Sequence, residues 1–181
     1  MRAVFFDRDG TLMEDARYCA DPALVRVFPG VPEALRRLKG AGFAIFVITN
    51  QSGIARGRIT EEQYHAVHGE FLRQVGPGLI DATYYCADAP GSRSARRKPA
   101  PGMVLEAAAR YHIDLAQSYC IGDKAADIEC GRRAGTRTIL VLTGYGARQH
   151  CHPEFTCRDA VEAVMRITTG AAGSPPPDQF L

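Results

Sequence analysis

The chain is 181 residues long, 46% hydrophobic and 23% charged, with 22 basic residues against 20 acidic ones. Such values fit one globular domain around one large core, and the near-neutral balance without a single Trp argues against a broad, base-stacking nucleic-acid surface. No stretch approaches eighteen apolar residues and no apolar leader opens the chain, so a soluble, cytoplasmic protein with no membrane partner is expected.

Ala3-Val4-Phe5-Phe6 is a short, fully apolar run that ends in Asp7-Arg8-Asp9-Gly10, the pattern of a buried central strand stopping at a charged turn. Residues 13–29 show no clean period and read as a loop. Val31 to Lys39 carries apolar residues at helical spacing and ends in Gly40-Ala41-Gly42. Phe43 to Ile48 is a second strand, running into Thr49-Asn50-Gln51-Ser52-Gly53. Thr60 opens a helix as cap with Gln63 three residues on, and Gly76-Pro77-Gly78 closes it near Val75. Ala82 to Cys86 is a third strand, followed by a Gly/Ser/Arg/Pro loop over 87–100. Pro101 starts a helix to about His112. Ser118 to Ile121 is a fourth strand, Gly122-Asp123-Lys124 leads into a helix to about Ala134, and Thr138 to Leu142 is a fifth strand. Arg158 to Thr168 is a last helix. One domain is expected over 1–169, with a flexible proline-rich tail over 170–181.

Strands alternating with helices predict an α/β, Rossmann-like doubly wound fold with a mostly parallel sheet of five strands or more. About thirty-odd residues lie between Asp9 and the second strand and about fourteen in the loop after the third, too few for a separate cap domain.

Three strand ends carry polar clusters, and open α/β sheets gather their ligands at that edge. Asp7 and Asp9 lean to one side of an extended chain, and Asp123 and Asp127, four apart at a helix start, can face the same way. Carboxylates without a neighbouring Cys or His form a hard, oxygen-only site that suits Mg²⁺ better than Zn²⁺. Thr49, Asn50, Lys98 and the backbone amides around Arg8-Asp9-Gly10 are donors for phosphoryl oxygens. Together these groups fit phosphoryl transfer, with Asp7 as nucleophile and Asp9 as acid and base. The phosphate-binding loop of nucleotide-driven kinases is absent. A non-catalytic phosphate-binding module is the alternative; it has no need of an acid/base, and Asp9 is present.

Asp7-x-Asp9-x-Thr11, Thr49, Lys98 before a helix, and Gly122-Asp123-x-x-x-Asp127 resemble, in order, the four motifs of the haloacid-dehalogenase superfamily of phosphatases. The longer stretches Thr49-Asn50-Gln51-Ser52-Gly53, Arg97-Lys98-Pro99-x-Pro101-Gly102-Met103 and Ile121-Gly122-Asp123-Lys124 are similar to its sugar-bisphosphate phosphatases, with histidinol-phosphatases close by. The resemblance implies a Mg²⁺-dependent enzyme acting on a small-molecule sugar phosphate through an aspartyl-phosphate. It makes Asp7 nucleophile and metal ligand. Asp9 is acid/base and lends its backbone carbonyl to the metal, and Asp123 completes the metal shell with Asp127 behind it. Thr49, Asn50, Gln51, Ser52, Arg97, Lys98 and Lys124 are implied to hold phosphate and sugar, and Asp15-Ala16-Arg17-Tyr18 to form a substrate-facing loop. No nucleic-acid partner is expected, and a monomer is the default.

One departure concerns zinc. The family often places Cys-x-His and Cys-x-Cys around the loop before the Arg-Lys pair, whereas this chain has Cys86 with Asp88, Ser94 and Arg96 at those positions. One thiolate cannot make a tetrahedral structural site, so no structural zinc is expected. The six cysteines form no Cys-x-x-Cys pair, and Cys120 and Cys130 read as core residues. His150, Cys151, His152 and Cys157 match no ligand spacing and are read as incidental.

Overall fold

The computed structural model describes residues 1–170. The segment 171–181, most of the expected tail, lies outside the described residues. Six parallel strands, β1 (Arg2–Phe6), β2 (Phe43–Asn50), β3 (Ala82–Cys86), β4 (Tyr119–Gly122), β5 (Arg137–Val141) and β6 (Phe155–Cys157), lie in the order β3-β2-β1-β4-β5-β6. Five helices alternate with them: α1 (Val31–Gly40), α2 (Glu61–Val75), α3 (Gly102–Tyr111), α4 (Ala125–Ala134) and α5 (Ala160–Thr168).

The continuous apolar runs are explained by burial on both faces. Val4 and Phe6 of β1, with Ile45 and Val47 of β2, join Leu35, Leu38, Val67, Phe71 and Val164 under α1, α2 and α5. Ala3 and Phe5, with Phe46 and Ile48, point the other way into Met103, Val104, Ala107 and Cys130 under α3 and α4. Phe5 stacks on Phe46 across the two strands with centroids 5.3 Å apart. Cys120 and Cys130 are both fully buried in this second layer, as expected.

Helix punctuation follows the sequence closely. Thr60 and Gln63 form the capping box of α2, each side chain accepting from the other's backbone N–H. Pro101 stands one place earlier than expected, at the N-cap of α3 rather than in its first turn. Likewise Asp159 caps α5, which begins at Ala160 rather than Arg158. The sixth strand, Phe155–Cys157, has no counterpart among the predicted elements. Three residues flanked by charge carry no readable period, and their strand character comes from parallel pairing of Phe155 with Ile139 on β5.

Strand order reverses between β1 and β4, whose partners lie to either side. Two crossover connections diverge at that point, leaving a crevice beyond the carboxyl ends of these two strands. Asp7 leaves β1 and Asp123 leaves β4 at this switch point, and the Asp7 amide donates to Ile121 O at 2.9 Å. Among the described residues, no helix is long and apolar enough to cross a membrane.

Candidate active site

A cavity of about 520 Å³ opens over the switch point, lined among others by Asp7, Asp9, Thr49, Lys98, Lys124 and Tyr145. Its floor is a buried charge cluster. Lys98 Nζ donates to Asp7 Oδ1 at 2.7 Å, lies 2.6 Å from Asp127 Oδ1, and donates to Ile48 O at 2.8 Å. An ammonium has three protons, and all three are engaged. Burial pushes the Asp7 carboxyl up, but Lys98 and Lys124 more than offset it, so Asp7 titrates below the usual carboxylate range. Burial likewise works against the Lys98 charge; Asp127 and Asp7 override it and hold the ammonium protonated far above its ordinary pKa.

Asp127 braces this arrangement. Its Oδ1 faces Lys98 and its Oδ2 accepts the Lys124 N–H at 3.0 Å, so both oxygens are committed. Asn50, expected to bind phosphate, is another brace: its amide exchanges two hydrogen bonds of 3.1 Å with the Lys98 backbone.

Asp123 is fully buried. Its Oδ2 accepts the Tyr145 N–H at 2.9 Å, while its Oδ1 has no hydrogen-bond partner and lies 3.4 Å from Lys124 Nζ. Burial first, and Asp7 beside it second, push this carboxyl up to about 7. Asp7, Asp123 and Asp127 each bring an oxygen within 4.8 Å of the others, the one such group of potential ligands among the described residues. An orphaned, buried carboxylate oxygen next to a second carboxylate fits a small hard cation. With Asp127 committed to Lys98 and the helix, Asp7 and Asp123 are the side chains able to hold it.

Asp9 is held on the other side of the floor. Arg8 grips it through Nε at 3.1 Å and Nη2 at 3.2 Å, Gln51 Nε2 donates to it at 2.9 Å, and Thr49 Oγ1 lies 3.4 Å away. Gln51, expected on the substrate, also donates to Thr49 Oγ1 at 2.8 Å and so orders both neighbours. Arg8 itself is buried with its guanidinium over the Tyr64 ring of α2, 5.3 Å from the centroid.

Asp15, Arg17, Tyr18, Ser52 and Arg97 line the cavity as expected, and Ala16 does not; it packs against the core instead. The Gly10 amide, expected to be free for phosphate, donates to Met13 O at 2.7 Å. The loop that departs from the zinc pattern is closed by side chains, with Cys86 Sγ 3.4 Å from Asp88 Oδ2 and 3.8 Å from Ser94 Oγ. Cys157 is a buried residue of β6, whereas His150 and His152 are exposed.

Sequence reasoning missed the segment after β5. Thr143 Oγ1 donates to Gly10 O at 2.7 Å, and Tyr145 supplies the amide that orients Asp123 and a ring 5.1 Å from Lys124 Nζ. At Gly144 (φ +56°) an added Cβ would lie 2.2 Å from Asp123 Oδ2 and 2.8 Å from Gly10 Cα. The available signal was a glycine pair, Gly144 and Gly146, directly beyond a buried strand, where close backbone approach is common.

Residues 95–163 match the HAD-hydrolase-like family model. The chain is 36% identical over 190 aligned positions to D-glycero-D-manno-heptose-1,7-bisphosphate 7-phosphatase of Thermosynechococcus vestitus, covering 94% of this chain and 97% of that one. It is 40% identical to the D-glycero-beta-D-manno-heptose-1,7-bisphosphate 7-phosphatase of Escherichia coli K12, over 78% of this chain and 80% of that one. Among solved structures, D,D-heptose 1,7-bisphosphate phosphatase from B. bronchiseptica, crystallised with magnesium and phosphate, superposes with a TM-score of 0.87 at 32% identity, covering 94% of this chain and all of that one. The motifs, the fold and these relatives agree: the chain belongs to the haloacid-dehalogenase-like hydrolases, in the family of the heptose-1,7-bisphosphate 7-phosphatases.

Proposed function

We propose that this enzyme is the Mg²⁺-dependent phosphatase that removes the 7-phosphate of D-glycero-D-manno-heptose 1,7-bisphosphate, a step in making heptose for lipopolysaccharide. The observation that carries the chemistry is the buried Asp7 carboxylate, kept ionised by Lys98 at the cavity floor beside the orphaned oxygen of Asp123. The substrate rests on the relatives.

Asp7, Asp123 and the Asp9 backbone carbonyl would hold Mg²⁺, which supplies charge neutralisation for the transferring phosphoryl group. Asp7 is the nucleophile: one carboxylate oxygen attacks phosphorus in line with the bond to the sugar O7. Asp9 gives its proton to the departing O7, then takes one from the water that cleaves the aspartyl-phosphate. Arg8, Gln51 and Thr49 orient Asp9 for both transfers. Lys98 positions Asp7 and balances negative charge as the phosphoryl group moves. Thr49, Ser52 and Lys124 stand around the phosphoryl position, and Arg97 with the 15–18 loop takes the sugar and its far phosphate.

The test is phosphate release with Mg²⁺ from the α and β anomers of the heptose bisphosphate, histidinol phosphate and 3′-phosphorylated DNA, ranked by kcat/KM. The bisphosphate is expected to lead. A lead for histidinol phosphate replaces the substrate and leaves the chemistry; phosphate binding with no turnover of any of them makes the protein a binding module.

A further inference from the structure

Arg17 and Tyr18 sit in the left-handed region at φ +45° and +55°, a conformation that non-glycine side chains adopt at a cost and that two consecutive residues hold only when their surroundings impose it. The imposing contacts come from the loop after β2. The Tyr18 ring packs against buried Gly53, so closely that a Cβ there would be 2.6 Å from Tyr18 Cδ1. Arg56 Nη1 donates to the Tyr18 hydroxyl at 3.1 Å, and the Arg58 guanidinium lies 5.3 Å from the ring centroid. At the turn's other end, Asp15 Oδ1 accepts the Arg17 N–H at 2.9 Å. Asp15, Arg17 and Tyr18 line the cavity together with Ser52 and Gly53, whereas Arg56 and Arg58 do not.

We propose that Gly53 and Arg56 are positioning residues for substrate selection: they dock Tyr18, and the docked Tyr18 holds the 15–18 turn as a fixed wall that presents Arg17 to the far end of a doubly phosphorylated sugar. This rests on the sugar-bisphosphate reading above. A wall held this way matters for a long substrate that spans the cavity and is idle for a small aryl phosphate that reaches only Asp7.

The test uses the full chain with Mg²⁺. In R56A, KM for the heptose bisphosphate is expected to rise at least fivefold with kcat within twofold, while kcat/KM for p-nitrophenyl phosphate stays within twofold. Y18F should raise the bisphosphate KM similarly, and R56A/Y18F should be no worse than the worse single variant, because both act through one contact. An unchanged KM, an equal loss on p-nitrophenyl phosphate, or additive losses would each overturn the proposal, the last by making Arg56 an independent substrate contact. Amide hydrogen exchange separates the two readings: residues 15–19 should exchange faster in R56A even if the bisphosphate proves not to be the substrate. Unchanged exchange with intact bisphosphate turnover would sink the clamp alone.

Discussion

Replacing Lys98 with Met removes the cation that stands between Asp7 and Asp127, each of which it contacts at 2.6–2.7 Å among side chains that are all buried. At those distances each ion pair is worth about 6 kcal/mol gross for an effective dielectric near 20, much of it offset by desolvation of the three groups. What the substitution exposes is the unbalanced remainder: two buried carboxylates facing each other, so that one must take up a proton. Breaking a buried pair from one side costs roughly 3–5 kcal/mol. For a domain of this size that lowers Tm by about 6–20 °C. The measurement is thermal unfolding in EDTA, followed at far-UV wavelengths. K98M/D127N should recover most of the lost stability, because the second substitution takes away the stranded charge, and should remain inactive, because Asp7 still lacks its positioning cation. A K98M protein within about 1 kcal/mol of the parent, or a double variant as unstable as the single one, would refute this account of the floor.

Asp9→Asn should lower turnover by about 10²–10⁴-fold while phosphate still binds, as read by single-turnover kinetics and phosphate titration; unchanged turnover removes Asp9 from its role. The Asp123 carboxyl, raised from 3.8 to about 7 by burial and by Asp7, ties the metal to pH. A raised folded-state pKa means the folded, metal-free protein keeps a proton that the unfolded chain has released, so this contribution is complete below pH 4 and is lost as pH rises through 7. In EDTA, Tm should therefore fall between pH 5 and 8, with added Mg²⁺ stabilising the protein more at pH 8 than at pH 5 and releasing protons on binding; calorimetry in two buffers checks it. Gly144→Ala, whose Cβ would lie 2.2 Å from Asp123 Oδ2, should abolish Mg²⁺ stabilisation and cut activity at least about a hundredfold. A folded variant with normal Mg²⁺ affinity would show that the 143–145 turn does not set Asp123.

What the sequence made legible is what local chemistry decides. The apolar run before Asp7 had to be central because only a strand covered on both faces tolerates Ala3 to Phe6 without a polar residue. Thr60 and Gln63 announced their helix because a capping box is written in four consecutive residues. Motif spacing brought Asp7, Lys98, Asp123 and Asp127 to one floor. It could not divide their labour, because that depends on which oxygen faces which donor. Asn50 and Gln51 look like substrate donors by type and do line the cavity, yet their amides also brace the Lys98 backbone and Asp9 with Thr49, which type alone does not reveal. Tyr145 acts through its backbone N–H, which every residue but proline possesses, so nothing in its identity marked it. The strand Phe155–Cys157 exists through its partner rather than its own pattern.

The floor's charges give the proposed pairing of a metal with a phosphoryl group a physical reason. With Asp7, Asp123 and Asp127 ionised against Lys98 and Lys124, the cluster carries one uncompensated negative charge, and without a cation Asp123 meets it by holding a proton near neutral pH. Without the metal, a dianionic phosphate monoester would meet a floor that is at best neutral, so binding, and the attack proposed for an anionic Asp7, would both be disfavoured. Mg²⁺ held in place of the Asp123 proton would turn the balance from minus one with all three carboxylates ionised to plus one, which would favour phosphate while leaving Asp7 anionic for the proposed attack. Arg8 and Asp9 stand outside this balance because they pair with each other.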